Sequence, residues 1–251
     1  MKKLLTLILG VVSWAAFGQT AIPHTNDFST YPGTGWSEMS ATRGNPCTVV
    51  SATSSTWSGD GFANVGFTGA ARVNIWLSSQ DDWLLSPVLS TTAGSNYLVS
   101  FDAALTPYGA TSSGAFDTDD TVFVVVSYDG GTTWNISDAV VKIHQGNQPG
   151  NTATAYSGVF TATGTSTKLG WAAYSTSGGA DEDFFIDNVS ITIATTLPCT
   201  APFFSEYTEG ASGYEKALEL YNPNSTPLSV AGYSVKLFTN GASLASNTFT
   251  F

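Results

Sequence analysis

Short runs of apolar and β-branched residues, separated by Gly, Ser, Thr and Asn, make up most of the chain after residue 18. Apolar positions do not recur at the spacing of an amphipathic helix, whereas two-residue alternation is frequent. The clearest run is Thr121–Tyr128, followed by Asp129-Gly130-Gly131, after which Thr132–Trp134 resumes an extended pattern. This order predicts a β-hairpin, because Asp-Gly and Gly-Gly tolerate the positive φ values of tight turns.

The same pattern returns between polar turns, and each return predicts a strand. The further strands expected before residue 194 lie near Phe62–Phe67 and Val73–Leu77, and at Tyr97–Ala103, Thr167–Tyr174 and Phe184–Ile193. Many short strands joined by polar turns are typical of a β-sandwich. The expected fold class is therefore all-β.

The chain is expected to contain two domains. Residues 195–202 carry two prolines and no periodicity, which indicates a linker between a domain at 19–194 and another at 203–251. The second domain has predicted strands at Phe203–Tyr207, Ala217–Asn222 and Gly232–Thr239. We expect this domain to be incomplete, because about fifty residues with three or four strands rarely close a sandwich.

Residues 1–18 have the pattern of a secretory signal peptide. Lys2 and Lys3 precede the apolar run Leu4–Phe17, and small residues follow, so cleavage is expected before Gln19. No later stretch approaches the roughly 18 apolar residues of a membrane helix, and no membrane span is expected. The mature chain is therefore expected to be exported.

Export places the two cysteines, Cys47 and Cys199, in an oxidising compartment. A disulfide would tie together the two ends of the first domain. Both this pairing and two separate thiols stay open, because the sequence does not give the distance between the Cα atoms.

Acidic residues outnumber basic ones, 19 to 8, giving a net charge of −11, although charged residues are only 11% of the chain. Binding a polyanion requires clustered Lys and Arg, and here these residues are scattered singly along the sequence. Nucleic acid and anionic membranes are therefore not expected partners. A surplus of carboxylates suits divalent cations, although solubility is the simpler interpretation.

Catalytic signatures are missing from the sequence. The histidines are His24 and His144, in unrelated contexts, and there is no G-x-S-x-G, H-E-x-x-H or G-x-x-x-x-G-K-[ST] motif. We therefore expect no enzyme activity from these residues. A carboxylate pair of the glycosidase type stays open, because its separation is not visible in a sequence.

One carboxylate lies at a position that suggests a metal. Strict alternation along Phe184–Ile193 places Asp187 on the same face as the apolar residues at 185, 189, 191 and 193, which predicts the core side. An ionised carboxylate at a core edge needs a partner. We expect Ca²⁺ as that partner, and the alternative is that Asp187 caps backbone amides.

Other candidates have simpler interpretations. The FDTDD segment at 116–120 resembles half of an ion-binding loop, and Asp181-Glu182-Asp183 is similarly acidic, but both are typical of solvated loops. Aromatic residues are able to stack on sugar rings, although burial in the core is the simpler role for each. The aromatic candidates are Tyr31, Trp57, Trp76, Trp83, Tyr108, Trp134 and Trp171.

Four phrases occur in order: DDWLLSPVL at 81–89, YLVSFD at 97–102, VVVSYDGGTTW at 124–134 and FIDNVSI at 185–191. They resemble the signature of cleaved-adhesin (choice-of-anchor J) domains, which are relatives of MAM domains. The resemblance covers about residues 24–193 and implies a jelly-roll β-sandwich with structural calcium near its first and last strands. By that likeness Asp27 and Asp187 are calcium ligands, whereas Asn188 stands where the family often has Asp.

Three further phrases occur in the tail: FSEYTEG at 204–210, KALELYNP at 216–223 and LSVAGYSV at 228–235. They are similar to the first part of lamin-tail domains. That likeness implies a partial immunoglobulin-like β-sandwich, of a kind that accompanies secreted enzymes and surface proteins as an accessory unit.

Together the resemblances imply a secreted or cell-surface adhesion module that is stabilised by calcium and recognises carbohydrate or protein ligands. The family's usual context implies the outer surface of a Gram-negative bacterium and type IX secretion. The alternative is the non-catalytic N-terminal accessory region of a secreted hydrolase, for example a nuclease, whose catalytic domain lies beyond Phe251. A structural spacer is the third interpretation, and fold alone does not separate the three.

Overall fold

The computed structural model describes residues 18–194, 202–209, 216–224, 227–239 and 242–251. Residues 1–17 of the predicted signal peptide lie outside these ranges, as do Cys199 and residues 195–201 of the predicted linker. The chain divides into two compact units, Met1–Thr195 and Thr196–Phe251. In the described residues of both units the regular structure is β-strand, with two short 3-10 turns and no α-helix.

Alternating β-branched and aromatic residues form the strands of the first unit. In chain order these strands are β1 (His24–Asn26), β2 (Ser37–Thr42), β3 (Thr48–Ser51), β4 (Ser58–Gly61), β5 (Gly69–Ile75), β6 (Gln80–Leu85), β7 (Leu89–Ser90), β8 (Asn96–Pro107), β9 (Thr121–Ser127), β10 (Ala139–His144), β11 (Thr154–Thr161), β12 (Ser166–Ser175) and β13 (Glu182–Ile193). The 3-10 turns are Phe62–Asn64 and Ile136–Asp138.

These strands form two antiparallel sheets. Sheet one has the order β11-β8-β13-β5-β4 with β1 also paired to β13, and sheet two has the order β10-β9-β12-β6-β2-β3 with β7 also paired to β12. Eight strands, β5, β6 and β8 to β13, form the core of the two sheets, and we number them one to eight along the chain. In this numbering the order across sheet one is 6-3-8-1, and the order across sheet two is 5-4-7-2. This is the strand order of a jelly roll, so the predicted jelly-roll β-sandwich is confirmed.

The main core lies between the two sheets and contains apolar residues from both. Every residue of β9 is buried, as expected for a strand that is covered on both faces. Trp171 of β12 occupies the centre, with its ring centroid 5.8 Å from that of Phe101 on β8 and 5.4 Å from that of Trp36. Contacts of this kind join the sheets, because aromatic side chains bury the largest areas.

A second apolar cluster covers part of the outer face of sheet two. It joins Met39, Trp83 and Phe123 from the strands to Trp134, which reaches in from the loop between β9 and β10. The rings of Trp83 and Trp134 meet edge to face at 5.3 Å. The loop therefore packs over part of this face.

The hairpin predicted at Asp129-Gly130-Gly131 is confirmed in its first half. β9 ends before this turn, and Gly130 and Gly131 have φ values of 75° and 99°. The predicted return at Thr132–Trp134 is wrong, because the return strand β10 begins at Ala139. Asp129 Oδ1 accepts hydrogen bonds from the amides of residues 132 and 133, and this holds the segment in a loop while Trp134 packs on the second cluster.

The strand predicted near Phe62–Phe67 is also wrong. This segment contains a 3-10 turn in which Ala63 and Asn64 have φ values of 55° and 60°. The turn directs the Asn64 amide to the buried Asp183 carboxylate, at 3.0 Å. The strand expected near Val73–Leu77 exists as β5 but begins earlier, at Gly69, and ends at Ile75.

The second unit contains two strand pairs. Strands β14 (Phe203–Glu209) and β15 (Lys216–Tyr221) pair antiparallel, as do β16 (Ser234–Leu237) and β17 (Asn247–Thr250). Both pairs agree with the all-β prediction for this part of the chain. The finer assignment to an immunoglobulin-like lamin-tail fold stays a prediction.

Candidate functional site

Strand β13 changes its neighbour at Asp187 and Asn188. Before this point β5 pairs with β13 as far as Ile186, and after it β1 pairs with β13 from Val189 onward. The pairing of β13 with β8 shifts register at the same place, which is a β-bulge, and Asn188 has a φ of 50°. Bulges re-aim side chains, and here the bulge opens a gap in the edge formed by β5 and β1.

The bulge overturns the expected face of Asp187. Phe184, Ile186 and Val189 point into the main core, whereas Phe185 packs in a small cluster on the outer face of sheet one. Alternation therefore places Asp187 on the outer face, half-buried, and the extra residue returns Val189 to the core. The prediction assumed unbroken alternation, which one inserted residue reverses.

Three carboxylates gather around this bulge. Asp102 of β8 lies opposite Asp187 in the ladder, and the Asn188 side-chain amide donates to Asp102 Oδ2 at 3.0 Å. Burial raises the pKa of Asp187, and the neighbouring charges of Asp102 and Asp27 raise it further. Both predicted metal ligands, Asp27 and Asp187, thus belong to one neighbourhood, and Asp102 is a member that the sequence reasoning missed.

A recess of about 300 Å³ adjoins these carboxylates. It is lined by Thr25, Asn26, Asp27, Asn188, Val189 and Ser190. The oxygen-rich lining suits calcium, which takes carboxylate, amide and backbone carbonyl oxygens together. Within the described ranges no three side chains of His, Cys, Asp or Glu already form a group that could hold a metal, so amide or main-chain oxygens have to complete a site here.

A second recess, also about 300 Å³, opens on the outer face of sheet two. We call it the Asp81 cleft, and its lining comes from the end of β2 with Arg43 after it, the start of β6 and the end of β12. The lining residues are Ala41, Thr42, Arg43, Ser79, Asp81, Tyr174 and Thr176. Asp81 and Tyr174 are direct neighbours in the β6–β12 ladder, which fixes the floor of the cleft.

Asp81 is only 8% exposed, yet one of its oxygens is unused. Oδ1 accepts a 2.7 Å hydrogen bond from the Trp83 indole, whereas Oδ2 has no hydrogen-bond partner among the described residues. Burial raises the pKa of Asp81 to about 6, against the opposing influence of the Trp83 indole, the Arg43 charge and the Arg43 backbone amide. A buried acceptor of this kind favours a ligand that donates a hydrogen bond.

Arg43 forms the opposite wall of the cleft. Its guanidinium carbon lies 2.9 Å from the centroid of the Tyr174 ring and 5.4 Å from that of Phe123. This cation–π contact holds the guanidinium over the Tyr174 ring. The cleft therefore presents a fixed cation, an unused carboxylate oxygen and an aromatic edge within one recess.

The two acidic segments singled out in the sequence meet at one end of the sandwich. Asp120 and Glu182 are buried, 2% and 5% exposed, and Asp117 accepts a 2.6 Å hydrogen bond from the Ala180 amide. The interpretation as solvated loops is therefore wrong for these residues. Asp119 agrees better with the interpretation as a solvated loop, because its carboxylate lies at an exposed turn. There it accepts hydrogen bonds from the amides of Thr176 and Ser177, which lowers the pKa of Asp119.

Replacing Glu182 by glutamine is expected to stabilise the first unit above pH 7. Burial and then the charges of Asp120, Asp117 and Asp181 raise the pKa of Glu182 to about 7, and its Oε2 has no hydrogen-bond partner in the described residues. The folded state therefore binds this proton more tightly than the unfolded state, and its contribution to stability is lost as the pH rises from about 4.5 to 7.

The E182Q variant should have a free energy of unfolding about 1 kcal/mol above wild type at pH 8, and a flatter pH profile between 5 and 8. Urea unfolding followed by tryptophan fluorescence measures both. The Asp119→Asn variant is the matched control, and its loss of charge should destabilise, because the folded state lowers the pKa of Asp119. A Glu182→Gln protein that is less stable than wild type at pH 8 would contradict this account.

Most aromatic candidates for sugar stacking lie in the interior. Trp57, Trp83, Trp134 and Trp171 are at most 4% exposed, which agrees with the simpler interpretation as core residues. Tyr31 is half-buried and donates to Glu38 Oε1 at 2.6 Å. Trp76 and Tyr108 are exposed, 51% and 60%.

Cys47 is half-buried, and its thiol donates to the Gly44 carbonyl at 3.4 Å. The proposed disulfide partner, Cys199, lies outside the described residues, so the pairing stays a prediction. Among the described residues no helix is long and apolar enough to span a membrane.

The strand order defines an all-β sandwich module. Solved structures with some likeness to it include, by their titles, a cleaved adhesin domain and carbohydrate-binding domains. A cleaved adhesin domain of Lys-gingipain from Porphyromonas gingivalis is 15% identical and matches with a TM-score of 0.41 over 68% of this chain and 98% of that domain. A CBM22-1 xylan-binding domain from Paenibacillus barcinonensis is 14% identical, with a TM-score of 0.39 over 69% of this chain and 95% of its own.

A third solved structure is the C-terminal CBM6 domain of a laminarinase from Zobellia galactanivorans. It is 13% identical and has a TM-score of 0.35 over 67% of this chain and 98% of that domain. No family model and no curated protein matches the chain. The jelly-roll assignment therefore stands on the strand pairing itself.

Proposed function

We propose that the first unit is a secreted or cell-surface binding module for carbohydrate or protein ligands, with the Asp81 cleft as its contact site. The observation that carries the proposal is the unused, buried Oδ2 of Asp81 in a recess walled by Arg43 and Tyr174. A recess of this size is at the lower end of ligand pockets, which suits one sugar unit or one side chain.

Sugar hydroxyls match the chemistry of this cleft. A hydroxyl group donates and accepts at once, so one hydroxyl can donate to Asp81 while its neighbour accepts from the Arg43 guanidinium. The Tyr174 ring lies beneath the guanidinium and fixes its position. This arrangement favours carbohydrate over an apolar ligand, because it rewards adjacent polar groups.

We propose that the first unit is not catalytic, and its two histidines support this. His24 Nε2 accepts from the Trp36 indole at 3.3 Å, and His144 Nδ1 accepts from the Gly146 amide at 3.1 Å. Both histidines are thus engaged in local structure. Neither arrangement resembles a base that activates a nucleophile.

We also propose that calcium binds at the bulge of β13, with Asp27 and Asp187 as ligands and Asp102 beside them. The support is the mutual proximity of these carboxylates at an oxygen-lined recess. In addition, every ion pair of the described residues involves Arg72 with Asp60 or Asp183, so these three carboxylates have no basic partner there. Bound calcium would neutralise the charges that gather where β1 and β5 meet β13. It would thereby fasten the N-terminal strand to the sandwich.

Replacing Arg43 by alanine is expected to remove ligand binding. The mature full-length chain is applied to a glycan and protein array, and any ligand that it binds is then titrated against the variant. Loss of a charged hydrogen bond should weaken binding by at least about ten-fold. Lys236→Ala, which removes an exposed cation of the second unit, serves as the control and should bind like wild type.

Two outcomes would count against the proposal. A ligand that binds Arg43→Ala as tightly as wild type would remove the Asp81 cleft from consideration. Silence across the whole array would favour a structural spacer.

A further inference from the structure

The basic residues of the first unit are concentrated on one face. Residues 18–194 contain fifteen acidic residues and four basic ones, namely Arg43, Arg72, Lys142 and Lys168. On β10, Val141 and Ile143 point into the main core, so alternation directs Lys142 outward. The same rule applies to Lys168 on β12, whose neighbour Leu169 is a core residue.

Arg43 belongs to the same face, because it lies over Phe123 and Tyr174 beside the second cluster. Three of the four basic residues therefore occupy the outer face of sheet two, and the fourth, Arg72, is paired with Asp60 and Asp183 on sheet one. These positions are far apart in sequence. Strand pairing brings them together, which is why the sequence alone indicated scattered bases.

Two of these cations flank a single ring. The Arg43 guanidinium carbon is 5.4 Å and the Lys142 ammonium nitrogen 5.8 Å from the centroid of Phe123. Their separation is therefore no more than the sum of these two distances. An anion that binds midway between the two cations therefore lies within one Debye length of both, since that length is about 8 Å in physiological salt.

The acids near this face lie beside Arg43 and not beside Lys142. Asp81, held by Trp83, faces Arg43, and Asp119 accepts from Thr176 of the cleft lining. Asp138, in the turn before β10, accepts from the Asn135 amide. Lys142 has no ion pair in the described residues and is therefore an unpaired cation on a strongly acidic unit.

We propose that the ligand of the Asp81 cleft is an acidic saccharide, whose carboxylate binds between Arg43 and Lys142 while its hydroxyls meet Asp81. This inference rests on the proposed carbohydrate binding and adds the charge of the ligand. An acidic protein is the alternative with the same charge. The saccharide is favoured because it carries several hydroxyl donors beside its carboxylate, and the unused Asp81 oxygen accepts a hydrogen bond from a hydroxyl.

The test is a titration of the mature full-length chain with acidic oligosaccharides and their neutral counterparts. Oligogalacturonate is paired with its methyl ester, and oligomannuronate with its carboxyl-reduced form, so that each pair differs in charge and not in ring hydroxyls. At least one acidic member should bind about ten-fold more tightly than its neutral partner, and this preference should shrink between 50 and 500 mM salt.

Lys142 provides the decisive variant, because it is exposed and outside the cleft lining. Lys142→Met should weaken binding of the acidic member about five-fold and leave the neutral partner unchanged, whereas Lys142→Arg should retain the preference. Equal binding of acidic and neutral partners, or an unaffected Lys142→Met, overturns the inference while the cleft stays a carbohydrate site. Binding of neither kind, with acidic proteins captured instead, overturns both.

Discussion

Replacing Asp183 by alanine is expected to cost the first unit about 3 to 5 kcal/mol of its free energy of unfolding. The Asp183 side chain is fully buried in sheet one, on β13. Its Oδ1 accepts from Arg72 Nη1 at 3.1 Å, and its Oδ2 accepts from the Asn64 amide at 3.0 Å and the Gly109 amide at 2.8 Å. Removing the carboxylate leaves the Gly109 amide without its acceptor and takes the buried partner from Arg72, whereas the Asn64 amide keeps Thr106 Oγ1 and the Ala110 carbonyl as acceptors.

The size of this effect follows from what remains after the substitution. Arg72 keeps its second partner, Asp60, but that pair is part-exposed and contributes little. The Gly109 amide loses its acceptor, and an unsatisfied buried donor costs about 1 to 3 kcal/mol. The Arg72 charge loses its fully buried partner as well. The melting temperature should fall by roughly 10 °C for a unit of this size.

Tryptophan fluorescence reports on this unit selectively, because every tryptophan after residue 18 lies within it. Asp60→Ala is the matched control, and it should lose less than about 1 kcal/mol. Asp183→Asn keeps one acceptor oxygen and should fall between the two. An Asp183→Ala protein whose melting temperature lies within about 2 °C of wild type would show that this hydrogen-bond network does not stabilise the unit.

Calcium is expected to raise the melting temperature of the first unit by roughly 5 to 10 °C over chelator. An ion that binds only the folded state stabilises by about 2.7 kcal/mol at a hundredfold excess over its Kd. For a unit of this length that free energy corresponds to a shift of this size. The carboxylates of Asp27, Asp102 and Asp187 repel one another without a cation, so the shift should be largest at low salt.

The Asp187→Asn variant should melt at the same temperature in calcium and in chelator. In chelator it should also melt above wild type, because the substitution removes one of the repelling charges. Asp138→Asn, an acid in the turn before β10, is the control and should keep the full calcium shift. No shift in wild type, or an undiminished shift in Asp187→Asn, would remove calcium from this account.

Much of the jelly roll could be predicted from the sequence, because its long strands are buried and alternate clearly. β8, β9, β12 and β13 all contain the strands expected from the pattern. The strands β1 to β4, β6, β7, β10 and β11 were missed. Those of two to four residues are too short to show a period. Their pairing is fixed by neighbours in space instead.

The bulge at Asn188 shows why the site was harder to predict than the fold. One extra residue reverses which face of β13 each preceding side chain occupies. No residue type in the sequence indicates where such a bulge lies. Asp27 and Asp187 were named from a family resemblance, whereas Asp102 required the ladder register. Asp102 and Asp187 are far apart in sequence, so their pairing across β8 and β13 was not visible there.

The Asp81 cleft was missed for a different reason. β6 is buried along its whole length, so alternation does not distinguish its faces, and Asp81 was read only as part of a family phrase. The spacing of Asp81 and Trp83 does place both on one face, and that was the available signal. Arg43 follows β2 and comes close to Tyr174 only because β2 and β12 both pair with β6.

NMR mapping of the binding surface determines whether this unit binds a saccharide in the Asp81 cleft. The mature chain is labelled with nitrogen-15, and amide shifts are followed as the tightest-binding oligosaccharide is added. The largest changes should occur at residues 41–43, 79–81 and 174–176, and Arg43→Ala should remove them. Changes centred on another surface, or no changes with any saccharide of the panel, would contradict binding in this cleft.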